Sequence, residues 1–248
     1  MRSGLAAVVV LAILAVALAA PAAVAAPAAD PVVTINVVGP DGAAVEGAKV
    51  TLYDTAGNKY ENTTDASGAA EIAVPANGTY LVVVKSEYYI LDTVDVAGNT
   101  SKTVNASAMH HANITSVPLS VDVKVLLQAF NYTELAMTTN VTVYAPSDIN
   151  VTYPGEVAKF PYKYTLDKIK YDGAETNETA VSLDMTKDYA VTAYYAKTFY
   201  MKLEYWMLVL LVAIVIAALA IAWSAGAKTA KAMISDWRSR NRRFVKRK

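Results

Sequence analysis

The 248-residue chain contains no cysteine. Disulfides, thiolate metal sites and cysteine nucleophiles are therefore excluded. Histidine is nearly absent too, with only His110 and His111 present. An adjacent pair assembles neither a serine–histidine–carboxylate set nor a histidine-rich metal spacing. No phosphate-binding or dinucleotide-binding glycine motif occurs. Asp41 and Asp65 stand next to turn signals, where carboxylates shape turns. No catalytic residue, metal ligand or cofactor is expected, and the chain does not read as an enzyme. Net charge is zero as well, but that absence is only a sum. Residues 26–203 hold 20 acidic residues against 12 lysines, while residues 224–248 hold nine basic residues against Asp236. A front of −8 and an end of +8 imply two environments.

Two apolar runs separate those environments. Residues 5–20 are Ala, Val, Leu and Ile behind Arg2, and Ala17-Leu18-Ala19 and Ala23-Val24-Ala25 fit the small-x-small cleavage pattern. This is the layout of a secretory signal peptide over residues 1–25. Residues 205–223 carry no charge, with Tyr205 and Trp206 at one end and Trp223 at the other. As a helix they reach about 28 Å, close to a hydrocarbon core of about 30 Å, and the aromatic ends suit its interfaces. Beyond them stand Lys228, Lys231, Arg238, Arg240, Arg242, Arg243, Lys246, Arg247 and Lys248. The positive-inside rule keeps these in the cytoplasm and residues 26–204 outside. Met233, Ile234, Trp237 and Phe244 fall close together on a helix, which suits a tail lying against anionic headgroups, with a disordered tail as the alternative. Nucleic acid is not expected as a partner, because the basic run abuts a span.

The outer region has eleven asparagines, and nine open an Asn-x-Ser/Thr triplet: Asn62, Asn77, Asn99, Asn105, Asn113, Asn131, Asn140, Asn150 and Asn177. Ser and Thr fill 29 of its 178 positions, so chance gives roughly two such triplets. The excess marks N-glycan acceptors on an exported chain.

Val, Thr and Tyr dominate between the runs, with turn signals at short intervals, the composition of an all-β region. Seven short strands, expected antiparallel, fall within residues 32–107 and indicate a β-sandwich. Its markers are the turn Pro40-Asp41-Gly42, then Val45-Glu46-Gly47-Ala48-Lys49-Val50, Thr64-Asp65-Ala66-Ser67-Gly68 and Val74-Pro75-Ala76-Asn77-Gly78-Thr79-Tyr80. This stretch resembles the carboxypeptidase regulatory-like, or transthyretin-like, domain. The resemblance implies a structural or binding module without catalytic residues. In such a module Gly42 and Gly68 supply turns, Ala48 packs where strands come close, and Tyr80 places a ring on the sandwich. Residues 108–116, with the two histidines, read as a linker.

A second β-sandwich is expected over residues 117–200. Lys168-Ile169-Lys170-Tyr171-Asp172-Gly173 and Tyr189-Ala190-Val191-Thr192-Ala193-Tyr194-Tyr195 are similar to the small β repeats of bacterial and archaeal surface proteins. Tyr88, Tyr89, Tyr194, Tyr195 and Tyr200 are divided between core and contact surface, and alternation alone does not sort them. The expected architecture is thus an all-β ectodomain of two tandem β-sandwich domains, one transmembrane helix over residues 205–223 and a basic cytoplasmic tail over residues 224–248. Lack of cysteine and dense triplets fit an archaeal surface protein better than an animal receptor. The expected role is a membrane-anchored cell-surface glycoprotein, structural or adhesive in the envelope, whose partners are the lipid bilayer, anionic headgroups and an envelope protein or glycan. The alternative is an accessory subunit of a larger membrane transport or secretion complex.

Overall fold

The computed structural model describes residues 30–200 and 203–245. The expected signal peptide lies outside the described residues. The first strands are β1 (Val32–Val38), β2 (Lys49–Tyr53), β3 (Lys59–Thr63), β4 (Ala69–Ala73), β5 (Gly78–Lys85), β6 (Tyr89–Val96) and β7 (Thr100–Asn105). They continue as β8 (His110–Val117), β9 (Asp122–Leu127), β10 (Leu135–Thr138), β11 (Val141–Ala145) and β12 (Ile149–Thr152). The last are β13 (Glu156–Lys159), β14 (Tyr162–Tyr171), β15 (Ala174–Thr176), β16 (Ala180–Leu183) and β17 (Tyr189–Phe199), followed by one helix, α1 (Leu203–Val245).

These strands form three sheets. One has the order β4-β1-β7 and another β10-β9-β12-β16. The third holds ten strands in the order β13-β14-β17-β8-β11-β6-β5-β2-β3, with β15 on β14. Two sandwiches result, and they share the long sheet. Val82, Val84, Ile90 and Val94 join Val33, Ile35 and Val104 in one core, beneath the first small sheet. Leu81, Val83 and Leu91 point the other way and join Val125, Leu127, Ile149 and Leu183 in a second core. The small sheets therefore cover opposite faces of the long one and overlap at β5 and β6. Residues 80–84 show the consequence, with five consecutive positions buried. A strand packed on both faces needs a continuous apolar run rather than alternation.

Residues 108–116, expected to be a linker, contain most of a central strand instead. β8 pairs antiparallel with β11 on one side and parallel with β17 on the other. Ala112 and Ile114 are fully buried while Asn113 between them is exposed, so the run is half-buried by alternation. Its polar residues are those of the open face, which is why composition alone suggests a connection. The antiparallel order expected within residues 32–107 fails at β1 with β7, which are parallel, and β6 is also parallel to β11. In each case the chain passes through other strands before returning, the long crossover that parallel neighbours require.

The turns form as their chemistry dictates. Asp65 Oδ1 accepts from Ser67 N and Ala69 N, and Asp41 Oδ1 from Ala43 N. Gly68 sits at φ +80°, and a Cβ there would lie 2.7 Å from the Val37 carbonyl oxygen, so both conformation and space demand glycine. Ala48 and Tyr80 are buried, and the Tyr80 hydroxyl donates to Ala76 O at 2.8 Å. Thr64 is buried between two chain segments. Its Oγ1 donates to Val45 O at 2.6 Å and accepts from Ala48 N at 2.9 Å. Thr64→Val keeps the shape but strands the Ala48 N–H, and is expected to lower the unfolding free energy by about 1–3 kcal/mol. Denaturant titration of both proteins measures this.

α1 is the one described helix long and apolar enough to cross a membrane, and none of its most apolar window is buried against the protein. A core helix would be covered, so burial within the fold does not explain its composition.

Candidate interaction surface and glycan acceptor sites

Beyond β6 the long sheet loses its cover on the face turned toward the first small sheet. Strand register places Tyr144 of β11 beside His111 of β8, then Asn113, Thr192 and Tyr194, with Lys168 and Lys170 on the far side. The first part of this open face is aromatic. Tyr144 takes the edge of Tyr88 at 5.4 Å between ring centres and lies the same distance from the His111 ring. Burial raises the pKa of both Tyr88 and Tyr144. The rings are half-buried: Tyr88 and Tyr144 pack against the margin of the first core and stay partly open to solvent.

Adjacent strand residues face opposite ways, yet both histidine rings reach one carboxylate. Nδ1 of His110 and of His111 lie 3.2 and 3.1 Å from the same Asp188 oxygen, just before β17. The His111 backbone N–H donates to that oxygen at 3.0 Å and, with the His110 ring, holds the carboxyl below its usual range. One carboxylate thereby pins the start of β8 to the start of β17. Among the described residues no group of three or more metal-ligating side chains forms.

The other end of the face is ionic. Glu175 of β15 lies 2.8 Å from Lys168 Nζ and 2.5 Å from Lys170 Nζ. Lys168 first, then Lys170, lowers its pKa from 4.5 to about 2. The sign follows from the depressed value. Any stability this carboxylate adds is present above the unfolded value and is lost as pH falls through the folded one. The carboxyl carbon of Glu175 is expected to titrate near 2 by NMR, and to move up toward the ordinary range in Lys168→Ala/Lys170→Ala. A midpoint unchanged by the double substitution counts against the ion pairs.

Seven of the nine triplet asparagines are exposed: Asn62, Asn77, Asn99, Asn113, Asn131, Asn140 and Asn177; Asn105 and Asn150 are half-buried. At Asn77, Asn99 and Asn105 the partner is a backbone N–H, of Gly98, Val32 and Ser107. Only Oδ1 can accept such a bond, which leaves Nδ2, the atom to which an N-linked glycan would attach, out of it. At Asn62 the amide is used the other way, with Nδ2 donating to Glu71 O at 2.7 Å. Asn113 stands in the middle of the open sheet face, where its Oδ1 accepts from the Thr142 hydroxyl.

The end of the β region nearest α1 carries exposed rings. Phe160, in the β13–β14 turn, is 64% exposed and its ring centre lies 4.9 Å from that of Tyr205. Phe199 and Tyr200 are exposed beside it, and Lys197 Nζ sits 3.7 Å over the Tyr162 ring. The structure thus sorts the tyrosines. Tyr195 is buried, donates to Pro154 O at 2.7 Å, and has its pKa pushed up to about 12 by burial. Tyr200 is a surface group. Tyr153 and Phe130, the bulkiest fully buried side chains, belong to the core. Of the basic tail residues, Lys228, Lys231, Arg238, Arg240, Arg242 and Arg243 fall within α1, and Lys246, Arg247 and Lys248 lie outside the described residues.

No family model and no curated protein matches the chain. Among solved structures it is similar to the Bacillus anthracis TIE protein, at 13% identity and TM-score 0.27, over 68% of this chain and 34% of that one. It is similar to GBS52, the minor pilin of Streptococcus agalactiae, at 14% identity and TM-score 0.25, over 70% and 98% of the two chains. A third is the shaft pilin SpaA of Lactobacillus rhamnosus GG, at 10% identity and TM-score 0.24, over 67% and 98%. The chain spans about a third of the length of the first of these. Likenesses this distant carry no argument about function.

Proposed function

We propose that the chain is a non-enzymatic, membrane-anchored cell-surface glycoprotein with a structural or adhesive role in the envelope. The observation that carries this reading is a β unit with an open, aromatic and ionic sheet face, whose last strand ends at Phe199, with only three residues between it and the start of the one described apolar helix at Leu203. In this reading residues 205–223 span the bilayer, with the β region outside and the basic tail in the cytoplasm. Phe160, Phe199 and Tyr200 then meet the outer headgroups, where aromatic rings are favoured. The first sandwich is the carboxypeptidase regulatory-like module, a reading supported by the turn at Gly68 and the buried Ala48. The exposed triplet asparagines carry glycans, and the open sheet face meets an envelope protein or glycan.

Gentle detergent extraction followed by glycopeptide mapping tests the reading. Glycan is expected on several of the seven exposed asparagines. Unmodified asparagine at all nine would refute the glycoprotein assignment, and stoichiometric recovery of transport or secretion subunits would sink the stand-alone role. Protease added to intact cells is expected to remove the β region and spare the tail.

A further inference from the structure

α1 does not end where its apolar run ends. It has 43 residues, about 64 Å at the usual rise, of which a bilayer core accounts for about half. Past Trp223 the helix carries Met233, Ile234 and Trp237, which are 70%, 52% and 64% exposed. Leu219, Trp223, Gly226, Ala230, Met233 and Trp237 follow one another at spacings of four, three, four, three and four. That is the rhythm of a heptad seam. Leu219, Ala222, Trp223, Gly226, Ala227 and Ala230 line a shallow apolar groove along its first half. At 3.6 residues per turn Lys228 falls opposite the stripe, and Lys231 and Arg238 fall on its flank.

The stripe begins inside the span and leaves it along one uninterrupted helix. A headgroup surface lies across a spanning helix, so it cannot cover a stripe that runs parallel to the axis. Arg238 stands 15 residues past Trp223, about 22 Å along the helix, beyond the reach of a surface potential screened over about 8–10 Å. The cover must itself be a rod that passes through the same interface at the same level. A second copy meets that requirement, because Tyr205, Trp206 and Trp223 set the same depth in both chains. We infer that the stripe from Leu219 to Trp237 is the contact face of parallel α1 helices from two copies of this chain. Gly226 and Ala230 let the backbones approach, and Trp223, Met233 and Trp237 fill the spaces above and below them. None of the three cations occupies a seam position, so pairing from Leu219 to Trp237 places no like charges in the seam. The inference rests on residues 205–223 being a span, and goes beyond it in naming the partner.

The absence of cysteine makes the test direct, since an introduced cysteine is the chain's only thiol. Full-length Gly226→Cys, Lys228→Cys, Ala230→Cys, Met233→Cys, Ser235→Cys and Trp237→Cys are oxidised in native membranes. Disulfide dimers are expected at positions 226, 230, 233 and 237 at roughly tenfold the yield at 228 and 235, because seam positions face the partner and the others point away. Membrane-retained protein with a flat profile, or with no dimer, overturns the pairing alone. Adducts of a mass other than twice the chain overturn the second copy as occupant. Release of the protein by alkaline extraction overturns the span and the pairing together.

Discussion

Leu81→Ala is expected to lower the unfolding free energy by about 2–5 kcal/mol, the range for a large-to-small change in a sealed core. Leu81 is fully buried. Its sequence position puts it in the first sandwich, yet its side chain packs with Val125, Ile149 and Leu183 of the second. The neighbour Val82 does the reverse and packs with Ile35 and Val104. The loss at Leu81 is therefore felt by residues of the half next to α1, and the two sandwiches are expected to unfold together. Chemical denaturation followed by a probe in each half tests this. Two separate midpoints, with Leu81→Ala shifting only the transition of residues 32–107, would sink the shared-core account.

Lys102→Met is expected to cost roughly 3 kcal/mol, toward the low end of what breaking a buried pair costs, because the lysine is partly exposed. Asp92 of β6 is 7% exposed, and Lys102 Nζ of β7 lies 2.8 Å from its Oδ1. The two strands belong to different sheets of the first sandwich, so the pair ties the layers together across its margin. Lys102 also donates to the Thr93 carbonyl oxygen. Removing only the cation leaves a carboxylate in apolar surroundings. Replacing both, as Asp92→Leu with Lys102→Met, is expected to recover most of the loss, since an apolar pair of similar volume carries no desolvation penalty. A double variant as unstable as the sum of the singles would show that the two groups do not interact.

Much of the local structure is legible in the residues. Asp65, Ser67 and Gly68 form a turn because the carboxylate caps two backbone N–H groups and only glycine fits the final position. Residues 32–38 alternate buried and half-buried positions as a strand on one layer does. Residues 80–84 hold an unbroken apolar run, which signals burial on both faces without naming what lies on either side. The candidate face was less legible. His111, Asn113 and Thr115 are polar residues at alternate positions, and polarity in a short run reads as a connection. Their role appears only when β11 and β17 take places on either side of β8. Asp188 stands 77 residues from His111 in sequence, and nothing local announces their contact.

What the sequence determined by itself was the sorting of the chain into an apolar start, a β-rich region, a second apolar run and a basic end, together with turns and Asn-x-Ser/Thr triplets. Those properties depend on a residue and its near neighbours. The tertiary structure alone decided that the sandwiches share a ten-stranded sheet, that β8 is a central strand, and which tyrosines are core. Alternation fixes which way a side chain points, whereas the identity of the neighbouring strand depends on packing between residues far apart in sequence. Shape and burial settle that choice only after the layers have met.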